Sequence, residues 1–153
     1  MSSIISGKAS GKRIGDLLGT VLPLCGQDWA VVIRGIDSTR SPDDLSRILA
    51  SRGIAYSVTN GNICLSIPAL GECLNTGLFV GFDEVWIFDQ LPNFNLAFLP
   101  SVTSDAADFS SAMPRELANA TEDTRLIVVL GDGCGLNYAV RDERILHAIL
   151  VTP

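Results

Sequence analysis

Residues 54–67 read Ile-Ala-Tyr-Ser-Val-Thr-Asn-Gly-Asn-Ile-Cys-Leu-Ser-Ile, and this stretch decides the expected fold. Asn60-Gly61 lies between two alternating runs, which is the strongest short-range signal for a β-hairpin. A two-residue turn there sets the register and places the apolar pairs on one face of the sheet. The expected pairs are Thr59 with Asn62, Val58 with Ile63, Tyr56 with Leu65, and Ile54 with Ile67.

The segment before the hairpin predicts a strand followed by a helix. Residues 29–36 predict a strand, since residues 30–33, Ala-Val-Val-Ile, form a nearly continuous apolar run that is typical of a buried strand. Residues 41–44, Ser-Pro-Asp-Asp, combine an N-cap serine, a proline at the first helical position and carboxylates at the positive end of the helix dipole. Gly53 suits the left-handed residue after that helix. We expect a right-handed βαβ unit, with parallel pairing between residues 29–36 and 54–59.

The rest of the chain alternates in the same way between helical and extended patterns. Helices are predicted at residues 12–22, 68–75, 105–120 and 142–150, and strands at 82–88, 125–130 and 136–140. These elements predict an α/β fold with a single central mixed sheet of about six strands and helices packed on it. Residues 1–153 form a single domain in this interpretation, and residues 1–11 are expected to be flexible.

Charge is distributed unevenly along the chain, whose net charge is −6. Residues 1–52 carry seven Lys/Arg against five Asp/Glu, whereas residues 53–153 carry four against twelve. The 62 residues from Gly53 to Pro114 contain no lysine or arginine. Nucleic acid would be repelled by such a surface, and a basic protein would be attracted. The acidity has a second interpretation, in which it only keeps the chain soluble.

Location and cofactors are predicted mainly from what the sequence lacks. No run approaches the roughly 18 apolar residues of a membrane span, and the N-terminus has no apolar core of a signal peptide, so we expect a cytoplasmic protein with no membrane partner. The four cysteines form no CxxC pair and there is one histidine, so we expect buried, reduced thiols and no metal or cofactor. They are Cys25, Cys64, Cys73 and Cys134.

Two glycine-rich segments resemble phosphate-binding loops without matching them. Residues 7–12 have three residues between the glycines instead of four, and Arg13 stands where a serine or threonine is required. Residues 131–135, Gly-Asp-Gly-Cys-Gly, are followed by an alternating strand pattern and by Leu136 where the dinucleotide motif has glycine. We interpret the second segment as a hairpin turn that needs no ligand. Its three glycines expose backbone amides, and these could still contact a small anion or a partner.

A small enzyme is the alternative function from a different class. Cys134 and His147 would form a nucleophile and base if they met in space, or a carboxylate cluster would act as acid and base. The spacing does not bring Cys134 to His147, and His147 fits the packed or edge position of an amphipathic helix. A structural or assembly subunit is a third hypothesis, which predicts a symmetric oligomer.

The favoured hypothesis is a protein-binding surface made of carboxylates and aromatic side chains. Residues 89–101 contain two prolines and five large apolar side chains without a regular period, and acidic residues surround them in sequence. In one interpretation these apolar side chains cover the core. If part of the segment is exposed, an apolar patch with a charged rim is typical of a protein interface. The predicted partner-binding residues are Asp83, Glu84, Trp86, Asp89, Phe94, Phe98, Asp105 and Asp108.

The stretch Gly81-Phe-Asp-Glu-Val-Trp-Ile-Phe-Asp89, with the acidic composition of a small α/β domain, resembles the immunity proteins of bacterial toxin systems. The resemblance covers nine residues and the overall composition, and it carries no residue over as functional. It implies a binding protein and not an enzyme, whose partner is a basic toxin domain.

Overall fold

The computed structural model describes most of the chain. The described residues are 5–10, 13–36, 42–59, 62–77, 82–89, 123–130 and 135–151. They form one sheet with helices packed on it, so the predicted α/β class with a single central sheet is confirmed.

Within the described residues the sheet contains seven strands, each antiparallel to its neighbours, in the order β1-β7-β6-β5-β2-β4-β3. The strands are β1 (Ile5–Ser10), β2 (Ala30–Ile36), β3 (Ser57–Thr59), β4 (Asn62–Ser66), β5 (Phe82–Phe88), β6 (Thr124–Leu130) and β7 (Gly135–Val140). The helices are α1 (Ile14–Val21), a 3₁₀ helix (Leu22–Leu24), α2 (Pro42–Ser51), α3 (Ile67–Thr76) and α4 (Glu143–Val151).

The predicted hairpin is present as β3 and β4. Thr59 pairs with Asn62 and Val58 with Ile63, which confirms the predicted register beside the turn. Residues 60–61 themselves lie outside the described residues. β3 begins at Ser57, so the two outer predicted pairs are not part of the ladder.

The predicted parallel pairing between residues 29–36 and 54–59 is wrong, and with it the mixed pairing of the sheet. β4 lies between β2 and β3 and is antiparallel to both. β2 and β3 therefore run in the same direction but are not hydrogen-bonded to each other as neighbouring strands. Burial explains the order, because Ile63, Cys64 and Leu65 put buried side chains on both faces of β4. Val58 of β3 is 56% exposed, which suits an edge strand better than an interior one.

The main hydrophobic core lies between one face of the sheet and the four α-helices. Alternate strand residues reach this face, as the period of two requires. The helix residues recur at intervals of three and four, which gives each helix one apolar stripe. The strands contribute Val31, Ile33, Ile63, Leu65, Val85, Ile87, Leu126, Val128, Leu136, Tyr138 and Val140, and the helices contribute Ile14, Leu17, Leu18, Val21, Leu45, Leu49, Ile67, Leu70, Cys73, Ile145 and Ile149.

The opposite face of the sheet is also buried. Ala139, Ile127, Trp86, Val32 and Cys64 form one cross-strand row through β7, β6, β5, β2 and β4, and each is at most 8% exposed. Strands that are buried on both faces need apolar side chains at consecutive positions. This requirement explains the continuous apolar runs in β2, β5 and β6.

Left-handed glycines follow α2 and α3, and a serine caps the start of α3; of these three features the sequence predicted Gly53. Gly53 has φ +69 after α2, and Gly77 has φ +76 after α3. Both values lie in the left-handed region that glycine occupies without steric cost. Ser66 caps α3 by accepting a hydrogen bond from the Ala69 amide at 3.1 Å.

The N-terminal segment differs from the expected flexible terminus. Ile5–Ser10 form β1, which pairs along its whole length with β7 and makes one edge of the sheet. The Tyr138 ring lies over Gly7, where a Cβ atom would come within 2.6 Å of the phenol oxygen. The absence of a side chain at Gly7 therefore allows the cross-strand Tyr138 ring to pack closely on the backbone. Burial raises the pKa of the Tyr138 phenol.

None of the helices within the described ranges has the length and apolar character needed to cross a membrane.

Candidate protein-binding surface

β5 carries the centre of the predicted binding surface, and its side chains from Val85 to Phe88 are buried. Trp86 and Phe88 are both 0% exposed. Their rings stack with centroids 5.9 Å apart and an interplanar angle of 22°. The Trp86 indole therefore offers no surface to a partner. The aromatic run that suggested an interface serves the interior of the sheet.

Asp89, directly after β5, is engaged within the chain. Its Oδ2 atom accepts hydrogen bonds from Nε of Arg125 at 2.8 Å and from Nη2 of the same guanidinium. The two side chains are about a quarter exposed, at 24% and 27%. The Asp89 amide also donates to the Asp123 carbonyl at 2.9 Å. Asp89 therefore joins the end of β5 to the start of β6, and its charge is already balanced.

The other predicted surface residues are described in part or not at all. Asp83 and Glu84 lie in β5, where Glu84 pairs with Val129 of β6. Their side chains are outside the described structure. Phe94, Phe98, Asp105 and Asp108 also lie outside the described residues, as do the predicted helix at 105–120 and the irregular segment after Asp89. Of the predicted binding residues, the structure therefore describes the side chains of Trp86, which is buried, and Asp89, which is paired with Arg125.

A second candidate surface, which the sequence analysis did not predict, lies along α4. A groove of about 530 Å³ runs between α4 and the 3₁₀ helix, and we call it the α4 groove. It is lined by Leu24, Glu143, Arg144, His147, Ala148 and Val151. Val151 in this lining is 61% exposed, and Leu150 beside the groove is 66% exposed.

The sequence signal for this surface is an excess of apolar residues in α4. Ile145 and Ile149 form the stripe that packs on the core, with Leu146 partly buried beside it. Leu150 and Val151 are additional apolar residues that this stripe does not require. A helix that is apolar beyond one buried stripe needs a second neighbour, or it leaves apolar surface exposed.

The first turn of α4 is organised by Asp142. Its Oδ1 atom accepts hydrogen bonds from the backbone amides of Arg144 and Ile145 at 2.9 and 3.3 Å, and Oδ2 pairs with the Arg144 guanidinium at 3.3 Å. Partial burial acts to raise the pKa of Asp142. The hydrogen bonds from Arg144 and from the two amides outweigh it, so the pKa is lowered.

Glu143 and His147 lie one helical turn apart on the rim of the α4 groove, and both are exposed. Within the described part of the chain, the Glu143 carboxylate has no ion pair or hydrogen bond. His147 occupies the edge position that was predicted for it. Cys134, its hypothetical partner in an enzyme, is outside the described residues.

The other three cysteines are free and buried, as predicted. Burial, with a further contribution from Asp142, raises the pKa of Cys25 to about 11, and burial with a contribution from Glu72 raises that of Cys73 to about 11. Such thiols are poor nucleophiles at neutral pH, because the thiolate is the reactive form. Among the residues that the structure describes, no group of three or more histidines, cysteines or carboxylates could hold a metal ion.

Comparison with known proteins finds no match: no family model, no curated protein and no solved structure is significantly similar to this chain.

Proposed function

We propose that this protein is a protein-binding inhibitor, namely an immunity protein that neutralises a basic toxin domain through its acidic part. The observation that carries the proposal is the charge of residues 53–153, which hold twelve Asp/Glu and four Lys/Arg. A field of this sign raises the association rate of a basic protein and opposes the binding of nucleic acid.

The placement of the basic side chains in this part of the chain supports the proposal. Arg125 is bound to Asp89 and Arg144 to Asp142, so both guanidinium groups are engaged by carboxylates of the same region. Arg141 is buried at 8% exposure. A basic partner that approaches this region is therefore repelled little by the described arginine side chains.

The proposed inhibition is a competition for the cations of the toxin. A toxin domain that acts on nucleic acid holds phosphates with lysine and arginine, and surface carboxylates of an inhibitor can pair with the same side chains. Charge pairs at the rim mainly set the association rate, whereas apolar contacts at the centre slow dissociation. The inhibitor then needs no catalytic group of its own.

The test uses candidate toxin domains encoded next to the gene for this chain. Each is expressed in a bacterial host with and without the protein, and an inactive variant is purified for association kinetics. We expect restored growth with one candidate, and an association rate that falls about tenfold or more between about 0.05 and 0.5 M salt. Absence of protection by every candidate, or an association rate insensitive to salt, would overturn the proposal.

Two matched double variants test which part of the chain carries the charges that speed association. Asp83→Asn combined with Glu84→Gln removes two charges from the acidic region. Asp16→Asn combined with Asp28→Asn removes two exposed charges from the first part of the chain. We expect the first pair to slow association and the second to leave it within about twofold. Equal slowing by both pairs would indicate a general charge effect without a defined acidic surface.

A further inference from the structure

The α4 groove joins apolar walls to a charged rim on one helix face. Arg144, Ala148 and Val151 recur at intervals of four and three residues, and Glu143 and His147 lie beside them at an interval of four. Residues at these intervals share one side of a helix. Leu24 of the 3₁₀ helix supplies the opposite wall.

The size and exposure of the groove fit a protein segment. The groove is open to solvent, with a volume of about 530 Å³, and exposed side chains border it. Leu150 and Val151, each more than half exposed, continue the apolar surface at the C-terminal end of α4. Contiguous exposed apolar surface with a polar rim is a mark of protein interaction sites.

The charged side chains at the edge of the groove favour a partner of positive charge. Asp142 is held by Arg144, so these two charges offset each other. Glu143 remains as a carboxylate without a partner within the described residues, so Asp142, Glu143 and Arg144 together carry one negative charge at the start of α4. An arriving lysine or arginine complements this charge, whereas an acidic segment is repelled.

We infer that the α4 groove binds an amphipathic, basic segment of a partner protein. The segment inserts an apolar side chain between Leu24 and Val151 and sets a lysine or arginine against Glu143. Because this names the contact site of the basic partner proposed above, it rests on that proposed function. A helix laid into a groove is a common form of such recognition, with anchors spaced by helical turns.

The first experiment measures binding without the natural partner. The probe is a fluorescent amphipathic 14-residue peptide of leucine and lysine, added to the intact protein at about 0.15 M salt. Glu143→Lys and Val151→Ser are the test variants. Glu72→Lys and Val58→Ser are their controls, since Glu72 is an exposed acid on α3 and Val58 is an exposed apolar residue on β3, outside the lining of the groove.

We expect each test variant to weaken peptide binding about tenfold, and each control to change it less than about twofold. A peptide with glutamate in place of lysine should bind at least tenfold more weakly. Equal effects of test and control variants, or equal binding of the acidic peptide, would overturn the inference. A wild-type dimer that dissociates in Val151→Ser would also overturn it, because the groove would then hold a second copy of the chain.

The same variants separate this inference from the proposed function. If a toxin domain is neutralised equally well by wild type, Glu143→Lys and Val151→Ser, the groove is not the contact site and the inhibitor function stands. If no toxin domain is neutralised but the peptide shows the expected pattern of variants, the inhibitor function fails and a basic-segment site remains. Circular dichroism melting checks that all four variants fold.

Discussion

β5 and α4 both combine carboxylates with apolar side chains, and the protein uses them in opposite ways. In β5, Trp86 is fully buried, and Asp89 next to the strand is bound to Arg125. In α4, Leu150 and Val151 are largely exposed, and Glu143 has no partner within the described residues. The first region is committed to the fold, whereas the second is presented to solvent.

The difference shows that composition does not distinguish a core from an interface. Aromatic residues beside acidic ones are found at protein interfaces, but also where a central strand ends at the surface. β5 is the fourth of the seven described strands in the sheet order, so it has neighbours on both sides. α4 packs with one stripe, so its remaining surface faces outward.

The largest predicted effect separates the two regions by stability. Trp86→Ala removes an indole from the interior, and we expect the free energy of unfolding to fall by about 3–5 kcal/mol. Leu150→Ala removes a side chain that is 66% exposed and should change it by less than about 0.5 kcal/mol. Urea unfolding followed by circular dichroism measures both. A loss below about 1 kcal/mol for Trp86→Ala would contradict the buried position of the indole.

The next effect concerns the Asp89–Arg125 pair. Asp89→Asn leaves the guanidinium without its anion, and we expect a loss of about 1–2 kcal/mol, reduced from the fully buried case because the pair is partly exposed. Glu143→Gln should be neutral, since that carboxylate has no partner within the described residues. The double variant Asp89→Asn with Arg125→Gln should recover part of the loss. Equal stabilities of Asp89→Asn and wild type would contradict a structural pair.

The smallest effect is the pH dependence at the start of α4. The pKa of Asp142 is lowered in the folded protein, so its contribution is present above the unfolded pKa of about 3.9 and is lost as pH falls through the folded value. Asp142→Asn keeps an oxygen that accepts the same amide hydrogen bonds but removes the charge. We expect a loss of about 0.5–1 kcal/mol at pH 7 that shrinks towards pH 2, measured by urea unfolding. A difference that stays constant with pH would count against this role.

Local patterns predicted most of the described elements. The hairpin register beside residues 60–61 and the left-handed Gly53 both follow from short stretches of sequence. Each depends on interactions within a few residues, which the sequence states directly. The expected parallel pair failed because strand order depends on which strand has two buried faces, and that is settled by contacts distant in sequence.

The predicted binding residues show the same limit. The acidity of residues 53–153 is a property of the sequence alone, because charges can be counted without a fold. The pairing of Asp89 with Arg125, the burial of Trp86 and the α4 groove needed the tertiary structure. Exposure and pairing are set by packing between distant segments, so the sequence determined the charge and local structure, and only the folded chain decided which of those residues remain available to a partner.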